Sequence, residues 1–323
     1  MQKLYSYALL ITALLHCSEM RLAAEQATES AESAESDLVE RLRDSDPTAR
    51  RDAAMALSRM GDGAKFAVPQ LTIALQDDDA DVSVLAAMAL GRIGPPARAA
   101  VPSLVAALSD KRTASFGSVP AGFVKVESSA ALALHRIGAD SVAAVAPLLE
   151  SKDEETQRLA MSIISGGGDA AEPHLKHLLQ GLKHESEKTR STAVDALGAL
   201  AIRADVTVPA LAEYLSSEND TNLRISTLLS LSRFGPDAAQ VLPKIVELLR
   251  DEDSTLRGFA AYALGEMRGA ARGAIPELRK LFDDRGPVFN RYPVLELEMT
   301  GKVGTWAKRA SDKIESSDTI KPE

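Results

Sequence analysis

A chain of 323 residues that is rich in Ala and Leu and only 4% aromatic suits closely packed helices better than a sandwich or barrel of aromatic and β-branched strands. The formal net charge of −9, without an extended basic block, argues against nucleic-acid binding by phosphate neutralisation. The single cysteine, Cys17, lies in an N-terminal apolar segment, so a processed chain has no thiol for a disulfide or a cysteine-ligated metal.

The N-terminus has the pattern of an export signal. Lys3 precedes a mostly apolar segment over residues 5–17, which is shorter than the ~20 residues that a membrane-spanning helix needs. A polar stretch ending in two alanines follows, so we expect a signal peptide over residues 1–24 and export to the periplasm, the cell envelope or the medium. Lipidation of Cys17 is the second interpretation, because the bulky His16 stands where lipidation motifs usually carry a small residue.

One motif of about 33 residues recurs along the chain. Its aligned positions, which lie 33, 44, 30, 33, 34 and 33 residues apart, are Leu57, Leu90, Leu134, Ile164, Leu197, Leu231 and Leu264. Each repeat contains a short and a longer helical segment, and in the second repeat Val82, Ala86 and Ala89 fall on one stripe of the longer segment. One repeat cannot bury this stripe alone, so neighbouring repeats must stack.

Residues that begin and end helices recur at equivalent positions. Good N-cap residues precede the second helices at Asp46, Asp79, Asp153, Ser186, Asp220 and Asp253. Glycines follow these helices, where a left-handed C-cap ends a helix, at Gly61, Gly94, Gly138, Gly168 and Gly235. Prolines then open the next first helix at Pro69, Pro102, Pro209, Pro243 and Pro276. The recurrence fixes the register of the repeats independently of the apolar pattern.

The motif D-x-D-x-x-x-R-x-x-A-A-x-A-L-x-x-[IM]-G, followed by A-V-P-x-L, resembles the short HEAT-like repeat of the phycobilin-lyase type, in the armadillo-like superhelix class. The resemblance implies an all-α fold, a right-handed α-solenoid of seven to eight two-helix repeats over residues 37–315. An acidic low-complexity tether over 25–36 precedes the array, and a polar tail over 316–323 follows it. The expected repeats lie near 37–68, 69–101, 102–145, 146–174, 175–208, 209–242 and 243–275, with a capping repeat over 276–315.

Arginines stand four residues after several of the N-caps, at Arg50, Arg190, Arg224 and Arg257. They suit an anionic ligand, but the favoured interpretation is a structural ladder, in which each arginine pairs with an acidic residue of its own or the next repeat. A second unusual position is Asp195, whose equivalents in other second helices are Met55, Met88, Leu132, Leu229 and Tyr262. A partly exposed position that tolerates change is the favoured explanation, and a ligand contact on the inner face is the other.

Histidines are the only plausible metal ligands in the chain. His174 and His177 are three residues apart, but no carboxylate on that face completes a site, and His184 falls in a turn. We therefore expect no metal and no cofactor. Deoxyhypusine hydroxylase, which has similar repeats, holds two irons with several His-Glu dipeptides, whereas this chain has only His184-Glu185. A shared scaffold does not imply a shared activity, so no catalytic residue is assigned.

Two repeats are interrupted between their first and second helices, within residues 111–126 and 283–302. Both insertions place aromatic beside basic side chains, and the candidate partner-binding residues are Phe116, Phe123, Lys125, Phe289, Arg291 and Tyr292. The sequence thus predicts an exported, non-catalytic scaffold or adaptor, monomeric by default. It binds a protein or peptide partner through the inner face of the second helices and the two insertions. An enzyme or accessory subunit of the bilin-lyase or hydroxylase type is the alternative.

Overall fold

The computed structural model describes residues 32–115, 124–289 and 301–317. Within these ranges the chain forms successive pairs of helices, which confirms the predicted all-α solenoid class. The helices group into two compact units that divide between Arg136 and Ile137. None of the helices in the described ranges is both long and apolar enough to cross a membrane.

The N-terminal unit contains three helix pairs. In each pair a shorter first helix precedes a longer second helix: α1 (32–41) with α2 (Pro47–Met60), α3 (Val68–Ala74) with α4 (Ala80–Ile93), and α5 (Val101–Ala107) with α6 (Val126–Ile137). Two short antiparallel strands, β1 (Thr113–Ala114) and β2 (Val124–Lys125), lie between α5 and α6.

The C-terminal unit continues the same alternation of helices. Its pairs are α7 (Ala139–Val145) with α8 (Glu154–Ile164), α9 (Leu175–Gly181) with α10 (Glu187–Leu200), α11 (Ala204–Ser217) with α12 (Thr221–Ser232), α13 (Leu242–Glu247) with α14 (Ser254–Glu266), and α15 (Ile275–Lys280) with α16 (Val303–Ser316). The strands β3 (Pro287–Val288) and β4 (Gly301–Lys302) lie between α15 and α16.

Aspartates begin most of the second helices. In each case the side chain accepts a hydrogen bond from a backbone N–H of the first turn, at Asp46, Asp79, Asp153, Asp220 and Asp253. Such a bond satisfies one of the N–H groups that a helix start leaves without a partner. Ser186 also occupies the N-cap position, before α10, but its side chain makes no capping bond. It hydrogen-bonds Glu154 instead, and this bond helps to lower the pKa of that carboxyl.

The five glycines expected at helix ends all have positive φ, between 53° and 77°. At Gly61 and Gly94, however, ψ is −131° and −140°, which is the mirror image of the extended region and not the left-handed helical cap that we expected. This conformation is open essentially to glycine alone, so the side-chain restriction at these ends is stricter than for a left-handed cap. Arg268, with a φ of 53°, begins the 3-10 segment after α14.

Three boundaries differ from those expected. Residues 32–36, assigned to the tether, already belong to α1, because Glu and Ala favour a helix and acidic residues are stabilised at its N-terminus. The fourth repeat begins at Ala139 and not near residue 146, since Gly138 ends α6 and no proline delays the next helix. Pro209 does not open a helix but lies inside α11, which begins five residues earlier.

Neighbouring second helices approach closely at small residues. A Cβ on Gly91 of α4 would lie 2.9 Å from Cα of Ala133 in α6, and one on Gly265 of α14 would lie 3.1 Å from Cα of Ala310 in α16. In α16 the ring of Trp306 packs 5.4 Å from that of Phe259, and both side chains are buried. The first helices and the 3-10 turns complete the core, so the second helices keep one face toward solvent.

Candidate functional site

The two insertions leave the repeats from equivalent short hairpins. In the first, Thr113 pairs with Lys125 and Ala114 with Val124. In the second, Pro287 pairs with Lys302 and Val288 with Gly301. Each hairpin holds the two ends of its insertion together immediately before a second helix.

The backbone hydrogen bonds around the two hairpins also correspond. Val126 N donates to Arg112 O at 3.1 Å, and Val303 N donates to Gly286 O at 3.0 Å. Outside the strands, Ser115 N donates to Asp81 Oδ1 at 2.6 Å. At the matching position of the second hairpin, the N–H that follows Val288 donates to Thr255 Oγ1 at 3.5 Å. One backbone frame therefore supports both insertions.

A guanidinium fills the same place in each frame, but it comes from different residues. In the second frame Arg257 Nη1 donates to Asp251 O at 2.8 Å, and its Nε lies 2.9 Å from Asp284 Oδ2. Gly286 leaves room for this group, because a Cβ there would lie 2.9 Å from Arg257 Nη2. Burial alone would raise the pKa of Asp284, but the hydrogen bond and charge of Arg257 lower it.

In the first frame the position of Arg257 is held by Ser83, and the position of Gly286 is held by Arg112. Arg112 Nη1 donates to the carbonyl oxygens of Asp77 and Asp78, at 2.8 and 3.0 Å. Its Nη2 lies 3.3 Å from Ser83 Oγ and 2.6 Å from Asp110 Oδ2. Arg112 thus replaces the missing ladder arginine from the opposite side, a role that the sequence reasoning missed.

The other ladder arginines also reach an acidic residue of the next repeat. The pairs are Arg50 with Asp77 at 2.7 Å, Arg190 with Glu218 at 3.2 Å and Arg224 with Asp251 at 3.1 Å. Arg50 and Arg190 donate in addition to backbone carbonyls that precede their own helix. These guanidinium groups are engaged with the protein itself and are not presented to a ligand.

Of the candidate partner-binding residues, Lys125 and Phe289 lie within the described ranges. Lys125 Nζ lies 3.2 Å from Oε1 of the buried Glu127, which Lys111 also contacts. Burial alone would raise the pKa of Glu127, but these two lysines lower it. Phe289 is 60% exposed beside the buried Val288. The remaining candidates fall outside the described residues: Phe116, Phe123, Arg291 and Tyr292.

The N-terminal unit presents an apolar row on its second helices. One residue per helix contributes to this apolar row: Met55 on α2, Met88 on α4 and Leu132 on α6. Both methionines are half-buried, and Leu132 is 47% exposed. One turn further along each helix an exposed arginine follows, and Arg59, Arg92 and Arg136 form an arginine row. The two rows make a surface that is both apolar and cationic.

The equivalent face of the C-terminal unit has a mixed character. A groove of about 390 Å³ is lined by Arg158, Asp195, Arg233 and Tyr262, among others. The groove walls partly desolvate Asp195, which remains exposed, and this raises the pKa of its carboxyl against the opposing charge of Arg233. Burial together with the nearby Glu266 raises the pKa of Tyr262 to about 12. The charges of the groove have both signs, so this face selects no simple partner by charge.

The histidines are occupied by local contacts. His184 Nδ1 accepts a hydrogen bond from Ser186 N at 3.1 Å, and His177 Nε2 lies 3.6 Å from Glu150 Oε1. The rings of His174 and His177 are 6.4 Å apart. Among the residues that the structure describes, no group of three or more His, Cys, Asp and Glu side chains is arranged to hold a metal ion.

A family model of HEAT repeats matches residues 35–115, 175–244 and 209–291. No curated protein matches the chain. Among solved structures, Kap95p, the yeast importin-β, in a structure with RanGDP is 13% identical with a TM-score of 0.57, over 90% of this chain and 42% of that one. Importin-β crystallised with ammonium sulfate is 16% identical with a TM-score of 0.55, over 77% of this chain and 38% of that one.

The complex of CpcE and CpcF of phycocyanin lyase from Nostoc sp. PCC7120 is a third similar structure. It is 19% identical with a TM-score of 0.43, over 86% of this chain and 93% of that one. The chain spans about two fifths of the length of the importin-β chains. At these identities the structural similarity establishes the fold alone.

Proposed function

Because the chain belongs to the HEAT-repeat family, we propose that it is a non-catalytic scaffold or adaptor that binds a protein or peptide partner. The partner contacts the exposed face of the second helices and the aromatic insertions. The observation that carries this proposal is the apolar row, in which Met55 and Met88 stay half-exposed and Leu132 is 47% exposed on three consecutive second helices. Contiguous apolar surface rimmed by charge is typical of a protein-binding site.

Two further observations support a binding role. Phe289 is exposed at the root of the second insertion, and aromatic side chains are common anchors in protein interfaces. Kap95p, whose repeats have the same fold, is seen in a structure with RanGDP. A stack of repeats offers an extended, preformed surface of the kind that suits a protein or peptide.

Site-specific photo-crosslinking tests the proposal in cells. A photo-reactive amino acid is placed at Met88, on the second-helix face, and in a second variant at Phe289. The matched control is Ile73 on α3, a side chain that is 68% exposed on a first helix. The same partner should be crosslinked from Met88 and Phe289 and not from Ile73. Equal labelling at all three positions, or none, would contradict the proposal.

Export and the absence of catalysis belong to the same proposal. N-terminal sequencing of the mature chain should begin at Glu25, with the protein in the exported fraction. A lipid-modified chain beginning at Cys17 would support the anchored form instead. The purified protein should show no absorption from a bound tetrapyrrole and contain no stoichiometric iron. Either group would overturn the non-catalytic assignment and favour a lyase or hydroxylase.

A further inference from the structure

We infer that the apolar and arginine rows of the N-terminal unit bind an acidic peptide segment in extended conformation, with an apolar side chain at every third residue. This inference rests on the proposed binding function and adds the chemistry of the partner. It concerns Met55, Met88 and Leu132 together with Arg59, Arg92 and Arg136, all on the exposed face of α2, α4 and α6.

The arginine row carries positive charge that the protein does not neutralise. Arg59 Nη2 contacts Met55 Sδ at 3.3 Å, and Arg92 Nη1 donates to Ser58 O at 3.1 Å. No carboxylate in the described part of the chain lies within 4 Å of these two groups or of Arg136. The ladder arginines, by contrast, each have an acidic partner. Three uncompensated guanidinium groups on a chain with a net charge of −9 form a local site for carboxylates.

The spacing of the rows favours an extended segment. Packed helices lie about 8–10 Å apart, and the contact of Gly91 with Ala133 places α4 and α6 near the short end of that range. A polyproline-type segment returns to the same face every three residues, or about 9.3 Å. Such a segment, crossing the helices, places one apolar side chain on each member of the apolar row. The residues between them are then free to direct carboxylates toward the arginine row.

The C-terminal unit does not repeat this surface. Ser162 and Asp195 replace the apolar residues on α8 and α10, and Gly166 and Ala199 stand where arginines would follow. Leu229 and Arg233 repeat the apolar–arginine pair on α12, but Tyr262 on α14 is followed by Glu266. In the described residues, three consecutive second helices carry the pair only in the N-terminal unit. An acidic peptide is therefore expected to bind the N-terminal unit.

Fluorescent synthetic peptides test the chemistry directly on the full mature chain. The first probe has four Leu-Glu-Pro repeats, and its controls replace Glu by Lys or Leu by Gly, or cluster the leucines at one end. We expect the Leu-Glu-Pro probe to bind at least about tenfold more tightly than each control. Equal binding of the clustered control would overturn the three-residue spacing. Tighter binding of a single-stranded oligonucleotide would overturn the assignment to a peptide and favour a nucleic acid.

Two variants with equal net charge locate the site. The first variant changes Arg59, Arg92 and Arg136 to Gln. The control changes three residues that are exposed elsewhere on the same unit to Gln: Arg43, Lys65 and Arg98. The first variant should bind the Leu-Glu-Pro probe about tenfold or more weakly, with a shallower dependence on salt, whereas the control should bind within about twofold of the original. Circular dichroism establishes that both variants are folded. If both variants bound the probe equally weakly, the effect would come from net charge alone, and the inference would be wrong.

The outcomes separate this inference from the proposed function. If a photo-crosslinker at Met88 captures a partner but neither the probe nor the Gln variant shows an effect, the scaffold function stands and the acidic peptide is wrong. If no position captures a partner, the proposed function itself fails.

Discussion

The backbone frames under the two insertions meet the same packing requirement with different residues. Each must place a guanidinium between the backbone carbonyls before a second helix and an acidic residue of the following repeat. The C-terminal unit uses Arg257 and makes room for it with Gly286. The N-terminal unit uses Arg112 and makes room for it with Ser83.

This difference shows that the repeat requires a charge at a place and not a residue at a sequence position. The carbonyl oxygens before a helix need donors, and a nearby carboxylate needs a counter-charge. A guanidinium with its five donors satisfies both at once, from whichever side it arrives. Substitutions at Ser83, Arg112, Arg257 and Gly286 can therefore test whether the two arrangements are interchangeable.

The largest effect is expected for Arg257→Ser. This change leaves the backbone oxygen of Asp251 and the half-buried carboxylate of Asp284 without their charged donor. It should lower the free energy of unfolding by about 2–3 kcal/mol. The control is Arg250→Ser, because Arg250 is 73% exposed and its pair with Glu277 is solvated. Its cost should stay below about 1 kcal/mol in urea denaturation. Equal losses for the two variants would contradict the ladder as a stabilising element.

A double-mutant cycle in the first frame tests whether its Ser83 and Arg112 can be replaced by the arginine and glycine of the second frame. Arg112→Gly should cost about 1–2 kcal/mol, less than Arg257→Ser, because Arg112 is the more exposed of the two. Ser83→Arg alone should also destabilise, since a second guanidinium would crowd the first. The double variant, which copies the arrangement of Arg257 and Gly286, should recover most of the loss. If the losses of stability of the two single variants simply added, the two frames would not be interchangeable.

Lowering the pH should reduce the difference in free energy of unfolding between the original chain and the Arg257→Ser variant. Arg257 holds the pKa of Asp284 below its ordinary value of 3.8, so this stabilisation is complete above that pH and is lost as pH falls through the lowered pKa. Urea denaturation at pH 7 and near pH 3 should therefore give a smaller gap at the lower pH. The Arg250→Ser variant provides the reference for general acid effects. A gap independent of pH would mean that the carboxylate contributes nothing to the ladder.

The smallest expected effect contrasts the lysines that end the two hairpins. Lys125 pairs with the buried Glu127, whereas Gly304 stands at the matching place after Lys302. Lys125→Ala should cost ~0.2–1 kcal/mol, and Lys302→Ala should have no measurable effect. Thermal melting of the two variants side by side is sufficient. A larger loss of stability for Lys302→Ala than for Lys125→Ala would indicate a contact in the second frame that the first frame lacks.

The sequence predicted the repeat class because its signals are local. Asp46 and Asp253 cap helices through bonds to N–H groups two or three residues away, so spacing along the chain reveals them. The boundaries at residues 32 and 139 were less predictable, since alanine-rich segments extend a helix wherever no proline or glycine stops it. The boundary at residue 204 was missed because Pro209 lies within the first turns of α11 and does not mark its start. The glycine ψ values depend on how the next turn packs, and the residue type alone does not define them.

The candidate surfaces needed contacts between repeats. The role of Arg112 escaped prediction because its carbonyl partners are 34 and 35 residues away. A signal existed in Ser83, which interrupts the ladder pattern, and aligning the two insertions with each other would have paired Arg112 with Gly286. The arginine row was missed for a similar reason, since spacing places a charge on a helix face but does not show which charges lack partners.

The short hairpins under the insertions also bear on how this protein can diversify. Because each hairpin holds the two ends of its insertion together, the length of the insertion does not affect the packing of the repeats on either side. Doubling such a loop costs only about 0.6 kcal/mol in closure entropy. New recognition sequences can therefore be accepted at these two positions without refolding the stack. We therefore expect the two insertions to vary in sequence and length while the fold of the repeats stays the same.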